Sequence, residues 1–185
     1  MPTSAPLYRA QALVQFASTL LQRAGMGAAQ ADCVSNTLVE GDLLGHDTHG
    51  LQLLAGYMKE LETGSMKGQG APLVVSDRPA ALLWDGQRLP GPWLMHQALD
   101  TLTPRARELG TAPLVIRRSH HIACLAVYLM RALKDNLLML IACCQPEITP
   151  KMQVVLALKY VANLKVENIA LQFGVELDAI EKMLY

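Results

Sequence analysis

The sequence predicts an α/β protein: N-terminal helices, then a mixed α/β region containing a βαβ unit, then a helical C-terminal tail. Three observations carry that expectation. Apolar residues recur at helical spacing through the first sixty positions. After Pro72 the texture changes to short apolar runs with turn signals, and a strand–helix–strand order follows near residues 112–143. The 185 residues, 51% apolar and 17% charged, suffice for one domain with a real core or two very small ones, and they argue against intrinsic disorder.

In residues 5–24 the one-face spacing of Leu13, Phe16, Ala17, Leu20 and Leu21 predicts an amphipathic helix that Gly25 stops. A second helix is expected over 28–44 with Ala31, Val34 and Leu38 inward. A third is expected over 51–62 with Leu51, Leu54, Tyr57, Met58 and Leu61 on one side. Between them, Gly45-His46-Asp47-Thr48-His49-Gly50 is too polar and glycine-rich to continue as buried helix, and 63–72 reads as a loop. Pro72–Val75 and Ala81–Trp84 are strand candidates, with Asp85-Gly86 a turn signal after the second. A helix is expected over 92–109, kinked or restarted at Pro104. Then come a strand over 112–116, a helix over 121–135 and a continuous apolar strand over 137–143. Parallel pairing of those two strands would put Arg117-Arg118-Ser119-His120-His121 at the carboxyl edge of the sheet, where open α/β sheets bind ligands. Gln145–Pro150 breaks the chain into a portion over 1–145 and an entirely helical tail over 151–185.

Sixteen basic and sixteen acidic residues cancel, leaving no electrostatic footprint for nucleic acid or for a polybasic membrane contact. No apolar run approaches a bilayer span, and the first residues lack the pattern of a signal peptide. Cys33, Cys124, Cys143 and Cys144 follow no disulfide framework, so a cytoplasmic setting is expected, with Cys143-Cys144 packed in the core end of a strand. In the tail, Ala170, Gly174 and Ile180 have helix-turn-helix spacing. The second helix would present Glu176, Asp178 and Glu181 against Lys182 alone, which opposes DNA binding; a small helical hairpin or a protein-docking module remains.

The histidines carry the chemistry. His46 and His49 lie in one loop, and His120 and His121 in another about seventy residues later. Imidazole is the natural acid/base near neutral pH, so two such loops brought together would form a proton-transfer site; unrelated surface and core histidines are the alternative on spacing alone. No Cys-x-x-Cys and no His-Glu-x-x-His supports zinc, and no metal is expected. Neither a Gly-rich dinucleotide fingerprint nor a P-loop is present, and Ser119 lacks a nucleophile elbow.

Three segments in register resemble the malate/L-lactate dehydrogenase family of NAD(P)-dependent oxidoreductases. They are Glu40-Gly-Asp-Leu-Leu-Gly-His-Asp-Thr-His-Gly-Leu51 with Tyr57, then Trp84-Asp85-Gly86 with Gly91, then Ser119-His120-His121-Ile122, within a match over about residues 8–142. The resemblance implies a non-Rossmann fold, an interlocked homodimer, and NAD or NADP as cofactor. It implies hydride transfer to or from C2 of a small 2-hydroxy or 2-oxo acid or a related imine. His49 and His121 would be the acid/base residues, with Thr48 orienting His49 and His121 accepting the proton of an oxidised hydroxyl; Arg117, Ser119 and His120 would contact substrate.

The chain departs from the family pattern at Leu53, where several members carry a substrate-binding arginine, at Arg118, where the usual residue is asparagine, and at Ala123, usually glycine. The resemblance stops near Cys144, in a chain about half the length of family members. The alternative is therefore a truncated, catalytically inactive homologue acting as an interaction or structural protein.

Overall fold

The computed structural model describes residues 7–79, 81–143, 165–173 and 176. The chain divides into two compact units, Met1–Met139 and Leu140–Tyr185. The first unit opens with α1 (Ala10–Arg23) and α2 (Ala28–Leu43), which pack on each other. Two short 3-10 turns, Asp47–His49 and Leu51–Leu53, lead into α3 (Leu54–Glu62). Ala17 and Leu21 of α1, Ala31, Val34 and Leu38 of α2, and Leu54 and Tyr57 of α3 form one buried cluster with Met26, Met66 and Ala123. The inward residues expected of α2 are all fully buried.

The face of α1 is rotated from the expected one. Val14, Ala17, Ser18 and Leu21 are buried, while Phe16, about 200° around the helix from Val14, is 59% exposed. Ser18 takes a core position because its hydroxyl donates to Asp32 Oδ1 at 2.5 Å, which satisfies a polar group that burial would otherwise penalise.

A three-stranded sheet follows, in the order β1 (Leu73–Arg78), β2 (Ala81–Asp85), β3 (Leu114–Arg117). β1 and β2 pair antiparallel with a register irregularity between Val74 and Ser76; β2 and β3 pair parallel from Leu82↔Leu114 to Asp85↔Arg117. The intervening helix α4 (Gly91–Leu109) packs Ala98 and Leu102 against Leu82, Trp84, Leu114 and Ile116. It is continuous through Pro104, so of the two expected effects of that proline the restart does not occur. The βαβ unit is therefore β2–α4–β3.

The unit expected further along does not form. Leu137–Cys143 is not a strand: no ladder partner pairs with it among the described residues, and Leu138 and Leu140 are largely exposed. Cys143 is accordingly exposed rather than packed in a strand. The helix expected over 121–135 is shortened to α5 (Leu125–Lys134), because Ala123 has φ +54° and a left-handed residue cannot sit inside a right-handed helix. Of the tail, α6 (Val166–Phe173) is helical; Gly174, Ile180 and most of the proposed helical hairpin lie outside the described residues. No helix among the described residues is long and apolar enough to cross a membrane.

Candidate active site

Two loops meet at the carboxyl edge of the parallel strand pair. The first follows α2, where Asp42 accepts a hydrogen bond from Leu51 N–H at 3.0 Å. Its carboxylate lies where a Cβ on Gly50 would be, so only glycine lets the chain pass so close. This tether fixes the 3-10 turn that ends in His49, and Thr48 Oγ1 lies 2.9 Å from His49 Nδ1.

The second loop leaves β3 through Arg118 at φ +53° and reaches α5 through Ala123 at φ +54°. Three contacts hold it. His120 N–H donates to the Leu89 carbonyl at 3.2 Å, the Tyr128 hydroxyl donates to the Ile122 carbonyl at 2.6 Å, and the Tyr57 hydroxyl donates to the His121 carbonyl at 3.0 Å. Gly91, at the start of α4, lets that helix abut the His121 carbonyl.

The result is one cluster of aromatic rings. His49 and His121 stack with centroids 5.9 Å apart and planes inclined by 27°. Tyr57 meets His120 and His121 edge-on at 6.1 and 6.2 Å. Burial, reinforced by the neighbouring His49 and His120, lowers the His121 pKa from its ordinary value. Burial raises that of Tyr57, so its hydroxyl stays a neutral donor. His120 Nε2 lies 3.6 Å from the Glu60 carboxylate, and its buried Nδ1 has no hydrogen-bond partner among the described residues.

The other expected substrate contacts are placed differently. Ser119 Oγ donates to the His120 carbonyl at 2.8 Å. Arg117 Nε donates to Asp85 Oδ2 at 3.1 Å, and Arg118 pairs with the same carboxylate through Nε at 2.9 Å and through Nη2. Asp85, fully buried at the end of β2, also accepts from Gln87 N–H at 2.9 Å. The Arg118 hydrogen bonds, followed by those of Gln87 and the charge of Arg117, hold its pKa down at about 2. Asp85 thus ties the turn after β2 to the loop bearing the histidines.

A pH dependence follows. Because the folded pKa lies below the unfolded one, this contribution to stability is present above about pH 4 and is lost as pH falls toward 2. Asp85→Asn is expected to lower the melting temperature by several degrees at pH 7 and to flatten the acid limb, measured by thermal melts from pH 7 to pH 2.5. An unchanged acid limb would show that Asp85 does not carry it.

Two site features escaped the sequence reading. Tyr57 is legible as part of an apolar helix face and of the first family motif, but the bond its hydroxyl makes to the His121 carbonyl is not, although a buried tyrosine usually finds a partner for its hydroxyl. The Ala123 N–H donates to His121 Nδ1 at 3.1 Å, and no side-chain pattern announces a backbone donor. Among the described residues no group of three or more His, Cys, Asp or Glu side chains is arranged to hold a metal ion.

Comparison with known proteins gives the cluster a context. The sequence profile of the family described as malate/L-lactate dehydrogenase matches residues 8–155. The chain is similar to hydroxycarboxylate dehydrogenase B of Escherichia coli strain K12 (28% identity, 62% of this chain, 32% of that protein) and to L-lactate dehydrogenase of Cupriavidus necator (31% identity, 62% and 33%). Among solved structures it is similar to a dehydrogenase from Sinorhizobium meliloti, with a TM-score of 0.65, 30% identity, and coverage of 69% of this chain and 40% of that one. Malate dehydrogenase from Entamoeba histolytica, with a TM-score of 0.67, 22% identity and coverage of 70% and 36%, shares the fold. The matched segment of the chain spans about a third of the length of these curated relatives. Over the portion that carries both histidine loops, the chain belongs to the malate/L-lactate dehydrogenase family.

Proposed function

We propose that the chain supplies the acid/base face of a nicotinamide-dependent oxidoreductase that interconverts a small 2-hydroxy acid and its 2-oxo acid, or a related imine. His49, His121 and Thr48 are its catalytic residues, and Ser119, His120 and Arg117 border the substrate. The observation that carries the reading is the stacking of His49 on His121, two imidazoles from loops about seventy residues apart, at a centroid distance of 5.9 Å. At that separation each ring can place a nitrogen about 3 Å from one shared substrate oxygen, the reach that proton transfer requires.

A nicotinamide, when bound, supplies or takes the hydride at the carbon bearing that oxygen. The imidazole pair fits the oxygen end of such a reaction. The described residues do not assign the dinucleotide end: Arg117 and Arg118, the basic residues adjoining the histidine loop, both pair with Asp85. Family membership supports a nicotinamide, in the form of NAD or NADP. A non-Rossmann fold, a homodimer and a cytoplasmic setting without nucleic-acid or membrane partners belong to the same proposal.

The test is thermal unfolding with NADH and with NADPH. A dinucleotide at a hundred- to thousandfold excess over its Kd is expected to stabilise the chain by roughly 2.7–4.1 kcal/mol. The absence of a shift with either would favour a second reading, an inactive homologue that acts by association. Two observations support that reading: Leu53 cannot make the bidentate carboxylate contact of an arginine, and Leu125, Leu129 and Leu133 leave an exposed apolar stripe along α5.

A further inference from the structure

The proposed site uses two histidines without saying which of them moves the proton, and their Nδ1 partners are not equivalent. His121 Nδ1 faces the backbone N–H of Ala123 at 3.1 Å. An amide N–H can only donate, so Nδ1 must offer its lone pair and the single proton of the neutral ring must sit on Nε2. The Tyr57 hydroxyl, 3.2 Å from the same nitrogen, donates to the His121 carbonyl at 3.0 Å and anchors the loop that carries the ring; the Ala123 N–H, which can only donate, sets the tautomer. Protonating Nδ1 would turn two N–H groups toward each other.

His49 is held otherwise. Its Nδ1 partner is the Thr48 hydroxyl at 2.9 Å, which donates or accepts as its hydrogen rotates. The ring is exposed to solvent.

We infer that the Ala123 N–H, on a loop that the Tyr57 hydroxyl anchors through the His121 carbonyl, locks His121 as a fixed Nε2–H donor that polarises the substrate oxygen, while His49 exchanges the proton. The inference rests on the oxidoreductase reading. In the direction of reduction, the carbonyl carbon gains the hydride from a reduced nicotinamide. Its oxygen then takes the proton from His49 Nε2 and becomes the hydroxyl. His49 is left neutral and is reprotonated from water, and His121 keeps its proton throughout. In oxidation, neutral His49, with Thr48 Oγ1 accepting from Nδ1–H, receives the hydroxyl proton at Nε2. The roles expected from the family resemblance, with His121 as proton acceptor, are thereby exchanged. Tyr57 is a positioning residue: it touches His121, not the reacting atoms.

The direct test reads the tautomer. In a long-range 1H–15N spectrum of the uniformly 15N-labelled full chain at pH 7.5, His121 Nδ1 is expected at the shift of an unprotonated nitrogen and Nε2 at that of a protonated one. A protonated Nδ1 on His121, accepted by the Tyr57 oxygen, would overturn the inference without any assay of activity.

The kinetic counterpart uses glutamine, whose amide can donate from near the Nε2 position but cannot carry a proton between states. His121→Gln should retain at least about tenfold more kcat/KM than His121→Ala, whereas His49→Gln should be as impaired as His49→Ala. Equal losses in the two His121 variants would overturn the donor role. Tyr57→Phe should lower kcat and disturb the His121 shifts while the His49 shifts stay in place. If the wild-type chain turns over no nicotinamide-linked substrate, the oxidoreductase reading fails, and the tautomer measurement still decides the lock.

Discussion

His49→Ala is expected to lower kcat/KM for nicotinamide-linked turnover of a 2-oxo acid by about 10²–10⁴-fold, the usual contribution of a positioned acid/base group. The magnitude follows from what remains. His121 still polarises the substrate oxygen, but the nascent alkoxide must draw its proton from water without orientation. Because His49 is exposed and its ring contacts are Thr48 and His121, the fold should be unaffected, with circular dichroism and melting temperature close to wild type. A variant with undiminished turnover would remove His49 from the chemistry.

Gly91→Ala carries the largest expected structural effect. A Cβ at residue 91 would lie 2.3 Å from the His121 carbonyl oxygen and 2.6 Å from Ile122 Cα. Both obstacles are backbone, so no side chain can rotate away, and either α4 or the histidine loop must move. Overpacking of this kind costs about 1–3 kcal/mol. For a chain of this size that is a fall in melting temperature of roughly 2–12 °C. The same shift pulls the His121 carbonyl from the Tyr57 hydroxyl, so activity should fall with stability. Gly56→Ala is the control. Gly56 lies exposed inside α3 with nothing within 4 Å of the built Cβ, and alanine there should stabilise by about 0.5–1 kcal/mol through helix propensity. If the two variants melted alike, the close approach of α4 to the loop would be refuted.

These expectations show which parts of the molecule were legible in the sequence. α2 and α3 could be placed from periodicity because their inward residues are apolar and evenly spaced. In α1 the same reasoning aimed Phe16 inward, because hydrophobic spacing gives no weight to a serine that reaches the core through its bond to Asp32. The run 137–143 is apolar enough for a strand, but strand formation needs a ladder partner, and a one-dimensional pattern does not reveal who that partner is. The histidine loops were legible through glycine-bounded motifs and the family resemblance. The bonds that assign roles to the two histidines were not. They depend on left-handed backbone at Arg118 and Ala123, neither a glycine, and on a backbone N–H that every non-proline residue possesses. Asp85 was visible as half of a turn signal. Its burial beneath two arginines became visible only when the parallel pairing set it opposite Arg117.

The central claim is that His49 and His121 act on one substrate oxygen in a nicotinamide-linked reaction. It is tested most directly by following both imidazoles in the 15N spectrum while oxamate, an unreactive 2-oxo acid analogue, is added in the presence of saturating NADH or NADPH. The account predicts that the Nε2 resonances of His49 and His121 shift together along one saturation curve, while His121 Nδ1 remains unprotonated. Titration that leaves both rings unmoved with either dinucleotide, or that moves one and not the other, would contradict it.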